Sequence, residues 1–303
     1  MRYVWIVLAG AASYGLLSTF TKLAYSQGYG LGGVVGSQTL LGFIGMTIVA
    51  AGLRARRSSP RQRPSRRQAM RLLLTGFVTG LTGIVYYGAL QYIEASLAII
   101  LLFQFTWIGV LGEALIRRRK PEKGQLWALL PLLAGTVLAA GPDVWRGEAA
   151  WQGIVLGLAS ACTYSGFIAA SGTVAPGVHP VTRSVWIAAG AALITMALLP
   201  PKHLFDGQFT GGLWQWGVLL AAFGVLLPVT AFAVGVPHIG PGLASILGAV
   251  ELPVAVAMSY AVLGEPVSLP QWFGVLLILG GVALPELLRR RAPDAPPSPA
   301  PSR

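Results

Sequence analysis

Ten apolar runs separated by short polar or basic segments fix the solvent this chain must fold in. They fall at residues 3–25, 32–53, 70–92, 95–116, 125–141, 151–171, 181–200, 213–234, 241–263 and 271–288. As a helix, a 23-residue run such as 241–263 rises roughly 34 Å, enough to cross a hydrocarbon core of about 30 Å. The composition agrees: 54% of residues are apolar and 11% charged, against about 25% charged in soluble domains. The chain reads as an all-α membrane protein of ten transmembrane helices. Because run 125–141 is short and Gly and Pro interrupt others, nine spans is the alternative count. Met1-Arg2 ahead of an apolar run, with Ala9-Gly10-Ala11 behind, imitates a cleavable leader, but the run continues to Tyr25 and reads as the first span.

The net charge of +12 does not point to nucleic acid, because the basic residues sit in short blocks between apolar runs. With the N-terminus inside, 19 of the 22 Lys and Arg residues fall in cytoplasmic segments, leaving Lys22, Arg146 and Lys202 outside. This places both termini in the cytoplasm and requires an even number of spans. Trp5, Trp127, Trp145, Trp151, Trp214, Trp216 and Trp272 fall near predicted span ends, as an interfacial belt would. One cysteine, Cys162, and three scattered histidines give neither a disulfide framework nor a metal centre, and no cofactor is expected.

An internal repeat organises the runs. At an offset of 146, Ile93, Leu97, Ala98, Ile100 and Leu101 fall on Ile239, Leu243, Ala244, Ile246 and Leu247, and Gln125 and Gly135 on Gln271 and Gly281. At an offset of 147, Gly10, Ala12, Ser13, Ser18 and Phe20 fall on Gly157, Ala159, Ser160, Ser165 and Phe167. Five spans per unit is an odd number, so the second copy must be inverted. The expected units are residues 1–143 and 150–290, followed by a disordered Pro-rich tail at 291–303. Inverted repeats are a transporter architecture with the site at their interface near the midplane.

In the ninth run Glu251 stands at bilayer depth, two residues before Pro253, which cannot donate to the carbonyl of Ala249. A charge there costs roughly 2.5 to 3.5 kcal/mol on insertion scales, so it should face a bundle interior or a wet cavity. Two readings stay open: a carboxyl whose protonation changes as the cavity opens, or a hydrogen-bonded strut beside the break. Ala244, Leu247, Gly248, Glu251 and Ala255 share one helical face, and the repeat maps Glu251 onto Phe105. Gln104 and Trp107 flank Phe105. Other polar groups at depth are Tyr14, Ser18 and Thr19, then Tyr86 and Tyr87, Thr106, Tyr164 and Ser165, Thr230 and Ser245. The candidate substrate-binding set is Tyr14, Thr19, Tyr86, Gln104, Phe105, Trp107, Tyr164, Ser245 and Glu251. Gly32/Gly36, Gly76/Gly80 and Gly153/Gly157 are candidate close-packing pairs.

The stretch LASILGAVELPVAVAMSYAVLGEPVSLPQWFGVLLILGGV, with its counterpart SLAIILLFQFTWIGVLGEALIRRRKPEKGQLWALLPLLAGTV, resembles the EamA-like transporters of the drug/metabolite transporter superfamily. The resemblance covers about residues 3–290. It rests most on Glu251, Pro253, Gly264 and Glu265; the first unit departs from the pattern at Trp107, Arg118-Arg119 and Tyr14-Gly15. It implies an inner-membrane secondary transporter that exports amino acids or other small metabolites, with a cavity lined mainly by helices 1, 3, 4, 6, 8 and 9. Its partners would be a small-molecule substrate, the lipid bilayer and protons as coupling ion. Oligomeric state stays open. A membrane scaffold or sensor is the alternative. An intramembrane serine enzyme would need the strained turn that Ala169-Ala170-Ser171-Gly172 matches only in part, with His238 facing it. No Gly-x-x-x-x-Gly-Lys-Ser/Thr loop is present, so ATP is not the expected energy source.

Overall fold

The computed structural model describes residues 1–55, 64–118, 123–147, 149–175 and 177–291. Most of the basic loop after the second run, the Arg119-Lys120 pair and the Pro-rich tail from residue 292 lie outside the described residues. In chain order the helices are α1 (Arg2–Ser26), bent at Leu16, α2 (Leu31–Ala55) and α3 (Arg66–Ala89). Then α4 comes as two pieces, Ala95–Leu102 and Phe105–Arg117, followed by α5 (Lys123–Ala139). The second half holds α6 (Trp151–Thr173), α7 (Pro180–Leu198), α8 (Phe209–Ile239), α9 and α10 (Leu269–Arg291). Helix α9 is built from Pro241–Gly248, Glu251–Met258 and a wide π-type turn, Ser259–Leu263. Eight of these rods are long and apolar enough to cross a membrane; α5 and α10 contribute the shorter apolar stretches Leu129–Ala139 and Leu269–Leu284.

Local chemistry sets the boundaries. Ser65 and Gln68 form a reciprocal capping box at the start of α3, satisfying two N–H groups that a helix start leaves free. Pro180 opens α7, where its missing N–H costs nothing, and the His179 ring accepts from the Val181 N–H at 3.3 Å. In α8, Pro228 follows a wide turn at Ala222–Leu226, the ladder opening where the proline has no N–H to return.

The packing pairs recur when the halves are exchanged. Helix α5 packs on α10 and α2 on α7; α3 lies against α6 and α7 as α8 lies against α1 and α2; α4 packs on α6 as α9 packs on α1. The repeat is visible down to single bonds: Ser13 donates to the Gly10 carbonyl at 2.7 Å, and Ser160 to the Gly157 carbonyl at 2.6 Å. Glycines let backbones meet at the crossings. A Cβ on Gly76 of α3 would strike the Ile187 carbonyl and come within 2.9 Å of Gly190 Cα on α7, while Gly135 and Gly274 make the equivalent contact between α5 and α10. Gly153 and Gly157 of α6 sit against Ile93 and Leu101.

One polar cluster ties α9 to α4. At Gly264 the chain turns with φ of 71°, a left-handed conformation that a side chain would strain, and this swings Glu265 onto the start of α4. Its carboxylate accepts from the Ala95 N–H at 2.8 Å, the Ser96 N–H at 3.2 Å and the Ser96 hydroxyl at 3.3 Å. The Ser259 hydroxyl donates to the same carboxylate, and the Lys22 ammonium of α1 pairs with it at 3.4 Å. Lys22 therefore has a protein partner. The first piece of α4 is buried along its whole length, and the Glu265 carboxylate satisfies two of its N-terminal amides.

Two outcomes are expected. Gly76→Leu should separate α3 from α7 and cost about 1–3 kcal/mol or more, seen as lost monodisperse protein and a lowered melting temperature, whereas Gly52→Leu, with nothing near its would-be Cβ, should behave as the parent. Glu265→Ala strands two backbone donors and the Ser259 hydroxyl and removes the partner of Lys22, and should destabilise by about 3 kcal/mol; a melting temperature unchanged in detergent would show that the cluster carries no stability.

Candidate functional site

A cavity of about 270 Å³ lies between the two halves of the chain. Helices α1, α2, α3, α4, α6, α7, α8 and α9 all reach its wall. Along α7 it extends to Ser184 in the first turns of that helix. That end is opposite the Glu265 cluster, which sits where α3 finishes and α4 begins. A second, wider cavity of about 580 Å³ lies beyond the cluster, lined by Lys22, Glu94, Tyr260 and Gln271 among others.

Glu251 is the acid of the inner cavity, and a backbone break presents it. Around Ala249 and Val250 the ladder tightens: the Ala249 and Val250 N–H groups reach the Ile246 and Leu247 carbonyls, both at 3.2 Å, and Leu252 donates to the Ala249 carbonyl at 3.1 Å. That carbonyl is the one Pro253 cannot serve, as its missing N–H requires. Gly15 lets α1 approach this point, since a Cβ there would come within 2.7 Å of the Glu251 carbonyl.

The same break occurs in α4, 146 residues earlier, without a proline. Phe103 and Gln104 have φ/ψ of −63°/−10° and −62°/−15°, matching −65°/−13° at Ala249 and −61°/−19° at Val250. Side chains stand in for the missing ladder. Gln104 Nε2 donates to the Ile100 carbonyl at 2.8 Å, and the Thr106 hydroxyl to the Phe103 carbonyl at 2.9 Å. Gln104 also donates to Thr136 of α5 at 2.9 Å and accepts from the Trp107 indole N–H at 2.8 Å. Its amide is thus occupied in holding the break.

Of the nine candidate residues, Tyr14, Tyr86, Tyr164 and Glu251 line the inner cavity together. Phe105 stands one layer behind, its ring edge-on to Tyr164 at 4.8 Å between centroids. Gln104 and Trp107 form the bonded pair just described, outside the lining. Thr19 is fully buried in α1 and Ser245 sits on an exposed face of α9; neither reaches the cavity. Three of the gathered residues are tyrosines, and with Tyr87 they line the same cavity as its one acid, Glu251.

The lining also includes residues outside the candidate set. Helix α2 supplies Gln38 and Thr39, α3 supplies Thr79 and Thr82 beside Tyr87, and α7 supplies Ser184. Each of these is a polar side chain within an apolar run of the sequence. The threonine and serine hydroxyls donate back to their own helices, Thr39 to the Val35 carbonyl and Thr82 to the Val78 carbonyl, both at 2.9 Å, and Ser184 to the Pro180 carbonyl at 3.1 Å. Their lone pairs are left to accept from a guest. Among the described residues no lysine, arginine or histidine lines this cavity, and no cluster of His, Cys, Asp and Glu could hold a metal ion.

Comparison with known proteins agrees with this geometry. A model of the EamA-like transporter family matches residues 1–141 and again residues 151–285. The chain is similar to an inner membrane transporter, YicL, of Salmonella typhimurium, at 30% identity over 75% of this chain and 76% of that protein. It is also similar to a transporter of Archaeoglobus fulgidus, at 27% identity over 67% of this chain and 72% of that one. Similarity to GDP-fucose transporter 1 of Dictyostelium discoideum is 24% identity over 66% of this chain, but spans only 56% of that relative's length. One solved crystal structure shares the fold along 96% of this chain and 98% of its own, with a TM-score of 0.62 at 21% identity. These relatives are transporters rather than enzymes, and with the family model matching twice across nearly the whole length, this multi-pass membrane protein belongs to the EamA-like transporter family.

Proposed function

We propose that the chain is an inner-membrane secondary transporter that exports small metabolites, amino acids among them, by alternating access around the Glu251 cavity. The observation that supports this reading is a largely apolar cavity between the two halves that holds Glu251 and several hydroxyls, reaching toward one end of the bundle with the Glu265 cluster at the other. Ten spans in two inverted five-helix repeats, residues 1–143 and 150–290, give it a physical basis. The exchange of packing pairs between halves and the matching breaks in α4 and α9 support that arrangement. With both termini cytoplasmic, as the positive charges favour, the cavity reaches inward and the Lys22–Glu265–Ser96 contact closes the outer path. Opening outward then requires α9 and α1 to part from the start of α4, while the glycine crossings at Gly76 and Gly135 serve as pivots.

Orientation is tested on a Cys162→Ser background, because the native cysteine is exposed. Single cysteines placed at residues 57–67 should resist a membrane-impermeant maleimide applied from the periplasmic side; efficient labelling there reverses the topology. Transport is tested in proteoliposomes, where a scaffold moves nothing.

Energy coupling follows from Glu251 as the ionisable group that every gathered tyrosine faces. A proton on that carboxyl on one side of the membrane and its release on the other would drive exchange of substrate for protons. Flux in the parent should therefore rise severalfold with a pH gradient, and the flux that remains in Glu251→Gln should ignore it. A glutamine variant whose flux follows the gradient as the parent's does removes the carboxyl from coupling and leaves it a strut beside Pro253.

A further inference from the structure

We infer that His203 is an acid-operated latch: its neutral ring holds the connection between α7 and α8 against α2, and protonation releases it. In the orientation proposed above this connection lies on the outer side of the membrane. The ring belongs to a single 3-10 turn, Lys202–Leu204, that packs on the first turns of α2. It is 4% exposed, and its Nε2 has no hydrogen-bond partner among the described residues. Helix α2 makes room for it with glycine. A Cβ on Gly36 would lie 2.5 Å from the ring Cε1 and 3.1 Å from Nε2, and one on Gly33 would meet Leu213 of α8 at 3.0 Å. Val35, Gln38 and Thr39, beside this seat on α2, line the inner cavity. The ring thus ties the α7–α8 connection to a wall of that cavity.

An unpartnered ring nitrogen in such a seat is tolerable on a neutral imidazole and costly on a cation. Protonation makes both ring nitrogens donors and adds a charge, while Nε2 finds no acceptor among the described residues. Burial accordingly holds the ring below the usual histidine value of about 6.5, although the nearby Asp206 pulls it the other way. The Asp206 carboxylate is itself engaged, accepting from the Gln208 N–H at 3.0 Å and from Gln208 Nε2 at 2.8 Å. The other titratable groups on this side are Lys202 of the same turn and Tyr29, whose hydroxyl donates to the Gly211 carbonyl at 3.1 Å. Residues Leu31 to Leu53 of α2, Ser184 to Leu198 of α7 and Phe209 to Pro237 of α8 include no Asp, Glu, Lys, Arg, His or Tyr. These helices therefore offer no second carboxylate to keep a charged ring in place. A seated ring refuses a proton that a released ring accepts. The latch is at full strength above about pH 6.5 and weakens as pH falls below it, by up to about tenfold per pH unit until the seated ring itself protonates.

Amide hydrogen exchange, read by mass spectrometry on the full-length protein in nanodiscs and corrected for the intrinsic pH dependence of exchange, tests the latch. Between about pH 8 and about pH 5 the amides of residues 31–37 and 202–213 should lose protection by roughly tenfold, while those of α5 and α10 hold. In spectra of ring-labelled histidine, the His203 signal, identified by its absence from the variants, should titrate below about pH 6.5. His203→Phe, which fills the seat without titrating, should show no acid response, and His203→Gln serves the same purpose if the larger ring does not fit. Gly36→Ala crowds the ring out and should show at about pH 8 the exchange that the parent reaches at about pH 5. Glu251→Gln should respond to acid as the parent does, which separates the latch from the carboxyl of the inner cavity. Equal protection of the parent at both pH values overturns the inference, whatever the variants do. So does an acid response that survives in His203→Phe or His203→Gln, one that is lost in Glu251→Gln, or unchanged exchange in Gly36→Ala.

Discussion

The carboxylate of Glu265 capping the start of α4 is the contact on which the rest of the arrangement depends. The residues of the first piece of α4 are all buried, and a helix start leaves amides without partners within the helix. An acid delivered from α9 satisfies two of those amides and the Ser96 hydroxyl at once. A carboxylate at a helix N-terminus is also favoured by the helix dipole, and Lys22 supplies the balancing charge. This one side chain therefore joins α1, α4 and α9 at one end of the bundle.

From that anchor the chain reaches the cavity through two interrupted helices. The break in α9 follows from Pro253, while the break in α4 is held by Gln104 and Thr106 with no proline involved. Two chemistries reach the same backbone geometry because the requirement is common to both: a carbonyl that loses its ladder partner must find another donor or go unsatisfied in hydrocarbon. The consequence differs between halves. In α9 the residue presented at the break is an acid, whereas in α4 it is Phe105, which backs Tyr164. One half of the cavity thus carries the charge and the other shapes the wall.

Much of this was legible in the sequence. The apolar runs and the Gly, Ser and Gln matches between units announced a repetitive helical membrane protein, and an acid beside a proline at mid-span announced where the cavity would lie. Tyr14, Tyr86 and Tyr164 were recognisable as hydroxyls retained at depth. What could not be read was tertiary pairing. Gln104 looks like a cavity residue until its amide is seen to be used by Ile100, Thr136 and Trp107. Lys22 and Glu265 are 243 positions apart, and nothing local in either run points to the other. The contribution of α2 and α7 was missed because hydroxyls such as Thr39 and Ser184 are inexpensive in any membrane helix, where they bond to the preceding turn.

The two ends of the bundle are not chemically equivalent, and the repeat shows where they part. The position 146 before Glu265 is Arg119, and that before Gly264 is Arg118, so the second half ends α9 with an acid where the first half has a basic pair. The helix that an acid at position 119 would have capped begins at Pro241, which has no N–H to be satisfied, whereas its counterpart Ala95 has one and uses it. Acid and amide are kept together in one half and lost together in the other, as expected if the capping contact is a single unit that is useful only when complete. The Glu265 contact thus stands at one end of the described structure, while the inner cavity extends toward the start of α7.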